Sequence, residues 1–427
     1  MKVFLIIWLG QLVSLIGSGL SSFALMVWVY QETQSVTQYA LMSLCFALPR
    51  VLVSPIAGIA VDRWNRRRVM ILGDISAGIS TLGLFLLAST GHLQPWHIYI
   101  ALFINATGNA FQLPAFLASI SQLVPKEKLN LANGLRQIAD AGANLISPIL
   151  AGVLLGTLFV KGILLIDFLT FLVALLTLLI TRFPNLSVDS DGLSSQSSLK
   201  TMLIEGFDYL KQRSALLLIF AFLMGTSFLI SMVTVLFTPL VLSNFSSQVL
   251  GFLLSLGGIG MILGGVTLSI WPQNQRYVLA ILNFTILAGI SLLAVGLKTA
   301  ISIYGLAVFM FMFSAVVVDT TATIILQKKV KSSFQGRIFA LKTATNSSMT
   351  ILAYISSSFL ADWVFEPMMQ NDNLVSNFVG QIIGVGEGKG INFMFFIAGV
   401  LTILVTVIAY QVPPLLNIEK NLPDWDE

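Results

Sequence analysis

Five ionisable residues, Arg50, Asp74, Asp140, Asp167 and Asp319, sit inside long apolar runs. At mid-membrane each costs a few kcal/mol unless it faces protein or water, so each needs a reason to be there. The chemistry open to an intramembrane carboxyl is the uptake and release of a proton. Asp140 follows Arg136 by four residues, and Gln137, Asp140, Asn144 and Ser147 share one helical face. Asp140 on that face is a candidate for proton coupling, with an ion pair to Arg136 or Arg50 as the alternative role. Asp319, followed by Thr320, Thr321 and Thr323, is the second candidate. Polar stripes accompany these residues. Asn105, Asn109 and Gln112 recur at helical spacing, and Gln11, Ser14, Ser18 and Ser22 do so on another run. Gln11, Ser18, Asn105, Asn109, Gln112 and Asn144 are therefore candidates for the wall of a substrate cavity, or for hydrogen bonds between helices.

The elements that must position these side chains make up most of the chain. Of its 427 residues 56% are hydrophobic and only 10% charged, and the mean hydropathy is +0.90. A soluble domain carries about 25% charged residues. This balance excludes a soluble enzyme and a nucleic-acid binder. The single cysteine, Cys45, rules out an intrachain disulfide and a thiolate metal cluster. His92 and His97 flank Pro95 and Trp96 and read as loop residues, so metal catalysis has almost no ligands. Neither a G-x-x-x-x-G-K-[ST] phosphate loop nor a G-x-S-x-G elbow occurs. No enzyme activity, cofactor or metal is expected.

A spanning helix needs roughly 20 apolar residues. Twelve segments qualify: 3–30, 38–60, 69–89, 97–123, 131–156, 162–181, 215–242, 249–270, 277–296, 301–327, 338–362 and 392–412. The first follows Lys2 like a signal peptide, but it is too long for an h-region and reads as a retained helix. Lys and Arg crowd into alternate loops, among them Arg63, Arg66, Arg67, Arg68, Lys126, Lys128, Lys328, Lys329 and Lys331. The opposite side holds Lys161, Lys298 and Lys389. Since positive loops stay inside, both termini are expected in the cytoplasm. The expected architecture is an all-α polytopic membrane protein: 1–181 an N-terminal six-helix bundle, 182–214 a cytoplasmic linker, 215–412 a C-terminal six-helix bundle, and 413–427 a cytoplasmic tail. Within the linker, Met202, Phe207 and Leu210 recur at a spacing that suits a helix lying on the membrane surface. Gln122 and Gln327 end corresponding spans, each followed by a basic turn, as expected of parallel repeats.

From Gly58 to Met70 the chain reads GIAVDRWNRRRVM. Gly58, Asp62, Arg63, Arg66 and Arg67 resemble the G-x-x-x-D-R-x-x-R-R loop between the second and third helices of the major facilitator superfamily, and the resemblance extends over about residues 3–412. Within that superfamily the segments GSGLSSFALMVWVYQETQS, DRWNRRRVMILGD and FQLPAFLASISQLVPKEKLNLAN are similar to the macrolide-efflux and enterobactin-exporter group of bacterial drug:proton antiporters. The resemblance implies two six-helix bundles, a cytoplasmic gate formed by the motif with Asp74 as a partner of its arginines, and a sixth helix on the bundle exterior. Asp167 is then expected in an interfacial or snorkelling role. On the fifth span Gly142, Ser147, Pro148 and Gly152 give a degraded match to the antiporter segment G-x-x-x-G-P-x-x-G-G, with Ser147 replacing the glycine before proline, which weakens the inference of export.

The expected activity is export of a hydrophobic or amphipathic small molecule (a drug, siderophore or secondary metabolite) in exchange for protons, by alternating access, from a monomer in the bacterial inner membrane. Thirty Phe and fourteen Met supply adaptable apolar surface for such a substrate. Its partners are the substrate, protons and membrane lipids, with no nucleic acid. The alternatives are an uptake or facilitative carrier or lipid flippase of the same fold, and a non-transporting receptor or assembly partner docking through the external, Gly-rich segment 363–391.

Overall fold

Lipid offers no partner to a free N–H or C=O, so a chain this apolar must close its backbone hydrogen bonds within helices. The computed structural model describes residues 1–125, 128–181, 199–270, 276–297, 300–371, 374–386 and 388–421. Within these, the side chains of 54–56, 58–63, 121, 122, 130, 199–202, 332, 333, 374, 375, 420 and 421 are not described. The helices are α1 (Lys2–Thr33), α2 (Val36–Arg63), α3 (Arg66–Ser89), α4 (Pro95–Leu123), α5 (Leu129–Ile180), α6 (Leu199–Lys211), α7 (Ser214–Asn244), α8 (Ser247–Ser269), α9 (Tyr277–Gly296), α10 (Ile301–Lys329), α11 (Ser332–Leu360), α12 (Glu366–Gln370), α13 (Leu374–Ile383), α14 (Lys389–Tyr410), α15 (Pro413–Leu416) and α16 (Ile418–Asn421).

Among the described residues, eleven helices are long and apolar enough to cross a membrane. One of them counts twice. α5 has 52 residues, about 78 Å at 1.5 Å per residue, whereas the hydrocarbon core is about 30 Å thick. Its continuity is interrupted at Phe159 (φ 56°, ψ 177°), in the interval expected between the fifth and sixth spans. With α5 counted as two, the described residues hold twelve helical segments of spanning length, the number the hydropathy pattern predicts. Local signals set several helix ends. Asn65 Oδ1 accepts from Arg68 N at 3.2 Å to start α3. Pro95 opens α4, and His97 Nδ1 accepts from Gln94 N at 3.0 Å. His97 thus belongs to a helix cap rather than a loop.

The chain divides into two compact units, Met1–Gly192 with Phe245–Ser255, and Leu193–Asn244 with Leu256–Glu427. In the first, Phe4, Ile7, Met70 and Leu178 form a core at one end. Leu25, Val29, Ile98 and Leu164 form another. The second unit packs Leu216, Ile219, Leu282, Ile325 and Ile338 together. Leucine, isoleucine and phenylalanine side chains are exposed on nearly every spanning helix, the composition expected of surfaces solvated by lipid.

Two segments are more tightly held than the sequence implies. α6 docks on α11: Leu210 and Tyr209 are buried in the second unit's core, Arg337 Nε lies 2.6 Å from Glu205 Oε2, and a Cβ at Gly206 would lie 3.1 Å from Arg337 O. Phe207 of the expected membrane-facing stripe is exposed, but Leu210 faces protein. The tail is also anchored, with Leu415 and Ile418 buried and Glu419 Oε1 accepting from Val278 N at 3.1 Å. In the 363–391 region Glu366 caps α14, its two carboxylate oxygens accepting from Gly388 N at 3.1 Å and Ile391 N at 3.2 Å.

Candidate functional site

In the first unit, small residues on α1 let it approach the second half of α5 closely. A Cβ at Gly10 would lie 2.4 Å from Thr177 Oγ1, and one at Gly17 would lie 2.0 Å from Thr170 Oγ1. The glycines are seven residues apart and meet threonines seven apart in reverse order, so the contact repeats every two turns. Close approach brings α1 hydroxyls onto a carboxylate. Ser18 Oγ donates to Asp167 Oδ1 at 3.1 Å, Ser21 Oγ donates to Oδ2 at 2.7 Å, and Thr81 Oγ1 of α3 donates to Oδ2 at 3.1 Å. Asp167 is only 4% exposed. The expectation of an interfacial or snorkelling role is therefore corrected. The physical reason is the donor set: bonds to a charged acceptor contribute about 1.5–3 kcal/mol each, and three of them outweigh an intramembrane cost of about 3 kcal/mol.

A second buried carboxylate lies on α3. Asp74, also 4% exposed, accepts from Gln11 Nε2 of α1 at 3.0 Å and from Gln112 Nε2 of α4; Gln112 Nε2 also donates to Gln11 Oε1 at 3.2 Å. Gly73 makes the contact with α4 possible, since a Cβ there would lie 2.8 Å from Gln112 Cβ. From sequence, Asp74 is expected beside the motif arginines, and Gln11 and Gln112 in a cavity wall. The structure instead joins Asp74 to the two glutamines. The arginines bond to helix carbonyls: Arg66 Nη1 donates to Ala118 O of α4 at 2.6 Å, and Arg67 caps the end of α5, donating to Leu178 O at 2.9 Å and Leu179 O at 2.8 Å. Gly58, Asp62 and Arg63 fall in α2, and their side chains lie outside the described residues.

Asp140 lies beside the first of its two expected ion-pair partners. Its Oδ2 lies 2.9 Å from Arg136 Nη1, with the two side chains 48% and 26% exposed. In the second unit Asp319 Oδ1 lies 2.8 Å from Lys342 Nζ, which also donates to Thr323 Oγ1 at 2.9 Å. Pairs this open contribute about 0.2–1 kcal/mol each, too little to hold the fold. Arg50 is exposed, its guanidinium 5.6 Å from the Phe46 ring centre. Asn105 is half-buried, and Asn109 and Asn144 are exposed. Ser18, a cavity candidate from the sequence, is drawn into the Asp167 cluster.

The fifth-span motif residues separate by environment. Buried Ser147 donates to Ile16 O of α1 at 3.2 Å, against Gly19. Within the same unit the start of α8 packs on Pro148 and Gly152: a Cβ at Gly251 would lie 2.3 Å from Pro148 O, and Ser255 Oγ donates to Leu145 O at 2.8 Å. Gly142 has open space where a Cβ would be.

The family model of the Major Facilitator Superfamily matches residues 7–354. Macrolide efflux protein A of Streptococcus pyogenes is 27% identical over 425 residues, 98% of this chain and 97% of that protein. Enterobactin exporter EntS of Citrobacter koseri is 26% identical over 351 residues, 80% of each chain. Among solved structures, the nucleoside transporter NupG superposes with a TM-score of 0.69 at 16% identity, covering 96% of this chain and all of that one, which shows a shared fold.

Proposed function

The chain belongs to the Major Facilitator Superfamily and is a transporter, not an enzyme; from that premise we propose that it exports a hydrophobic or amphipathic small molecule across the bacterial inner membrane in exchange for protons. The observation that carries the reading is the end-to-end similarity to a macrolide efflux protein, supported by the similarity to an enterobactin exporter. Carboxylates inside spanning helices supply groups able to carry the exchanged proton. The carrier acts as a monomer by alternating access, with both termini in the cytoplasm as the distribution of Lys and Arg directs. Proton and substrate each bind one orientation better than the other, so each biases a shared two-state equilibrium. Inward movement of a proton down the membrane potential contributes about 2.3 kcal/mol per 100 mV.

Everted membrane vesicles test this directly. A labelled macrolide and labelled enterobactin are offered while respiration acidifies the lumen. Accumulation of at least one of them, abolished by a protonophore, is expected. Accumulation indifferent to the protonophore would remove the proton, and equilibration without accumulation would favour a facilitative or uptake carrier. That second reading draws on Ser147, the hydroxyl residue standing where the antiporter segment has glycine and bonded here to the α1 backbone.

A further inference from the structure

Asp74 and Asp167 lie on one seam. Gln11 and Ser18 are seven residues apart on α1, and Asp74 and Thr81 are seven apart on α3, so the two carboxylate clusters are two helical turns, about 10 Å, apart. Ser14 occupies the same α1 face between Gln11 and Ser18. We propose that this seam is a proton-binding ladder, in which Asp167 and Asp74 take up and release the protons exchanged for substrate. The proposal rests on the reading of the chain as a proton-coupled exporter and names the residues that would do the coupling.

The partner chemistry favours these two carboxyls over the ion-paired ones. Among the described residues, every side chain bonded to the Asp167 carboxylate is a hydroxyl, and a hydroxyl that donates to a carboxylate can rotate and accept from the acid. Gln11 and Gln112 likewise offer Asp74 both a donor and an acceptor. Either protonation state is thus satisfied without moving a helix far. Protonating Asp140 or Asp319 would instead leave Arg136 or Lys342 without its carboxylate partner. The spacing in the Asp167 cluster, 2.7–3.1 Å, is that of hydrogen bonds, one to Oδ1 and two to Oδ2.

α2, which packs on α1 and α3, carries Tyr39, Cys45, exposed Arg50 with its guanidinium 5.6 Å from the Phe46 ring centre, and Asp62 and Arg63 at its C-terminal end. On α1 the charged side chains are Lys2 and Glu32, at its two ends, and Tyr30 lies beside Glu32. On α3 they are Arg66, Arg67 and Arg68 in the first turn, two of them bonded to carbonyls of α4 and α5, and Asp74 itself. α4 offers only His97 and Tyr99, near its start and more than three turns from Gln112. On α5, Lys161 precedes Asp167 by six residues, and Arg136 and Asp140 pair with each other beyond the break at Phe159.

Three of the five side-chain bonds to the two carboxylates come from α1: those of Gln11, Ser18 and Ser21. A proton arriving on a carboxylate oxygen removes the charge these donors hold, and its departure restores it. Protonation therefore loosens the grip of α3 and α5 on α1, which is how the ladder would act on the conformational equilibrium.

Infrared difference spectroscopy of the purified full-length protein across a pH series, in H2O and D2O and without substrate, tests the proposal. Two carboxylic-acid carbonyl bands that shift in D2O are expected, one lost in Asp167→Asn and the other in Asp74→Asn, both persisting in Asp140→Asn and Asp319→Asn. Ser21→Ala keeps the carboxyl and removes its 2.7 Å donor, so it should change the frequency of the Asp167 band. That readout stands even where Asp167→Asn fails to fold. In liposomes Asp167→Asn and Asp74→Asn should lose pH-driven accumulation of the labelled macrolide while still exchanging it. Absence of the bands in wild-type protein, bands that follow Asp140 or Asp319, or undiminished accumulation by both variants would overturn the ladder. Absence of pH-driven transport in the wild type would overturn the exporter reading, and the infrared bands would still decide proton binding on the seam.

Discussion

Gly17 and Gly142 make opposite demands on their surroundings, although both are glycines within spanning helices. A Cβ at Gly17 would collide with Thr170 and crowd Asp167, whereas one at Gly142 would meet nothing within 4 Å. Gly17→Ala should therefore destabilise the protein by about 2 kcal/mol through overpacking. Gly142→Ala should be neutral or stabilising by up to about 1 kcal/mol through helix propensity. Thermal unfolding in detergent measures both, and equal melting temperatures for the two variants would contradict the packing described. The same scale shows what the sequence can and cannot convey. Asp140 and Arg136, four residues apart on one helix, are legible as a pair. The donors to Asp167 come from positions 149, 146 and 86 residues away, so the residue is visible in sequence while its company is not. Gly10 and Gly17 opposite Thr177 and Thr170 were the available signal, a seven-residue repeat readable on both partners once they are known to be neighbours.

Hydropathy locates the spanning segments well because the bilayer thickness imposes their length; it says little about the short elements. The division between the fifth and sixth spans rests on Phe159, an exposed side chain in a backbone region otherwise almost confined to glycine. Such a conformation costs about 1–3 kcal/mol, and glycine adds about 0.5–1 kcal/mol of chain entropy to the unfolded state. Phe159→Gly should accordingly raise the melting temperature by a net effect of about 1 kcal/mol, since little packing is lost. A fall in melting temperature would show that the ring contributes more than its exposure indicates. α6 illustrates the opposite limit. Its amphipathic spacing was visible, but periodicity cannot tell a helix that faces lipid from one that docks on α11, and here Gly206 and Glu205 decide in favour of α11.

For the whole molecule, the sidedness of the loops is the property that transport depends on, and the native cysteine content makes it measurable. Cys45 is the single thiol. In a Cys45→Ser background, Gln94→Cys should react with a membrane-impermeant maleimide in intact cells, and Gln212→Cys only after permeabilisation; the reverse pattern would invert the proposed orientation. The Asp167 cluster also bears on how the protein is made. The first and third spans leave the ribosome before the sixth, so Ser18, Ser21 and Thr81 are already in the bilayer when Asp167 arrives. An aspartate entering lipid alone would meet a barrier of about 3 kcal/mol. Synthesis order supplies its donors in advance, whereas a circular permutant that placed the sixth span ahead of the first would have to insert the carboxylate before any hydroxyl was there to receive it.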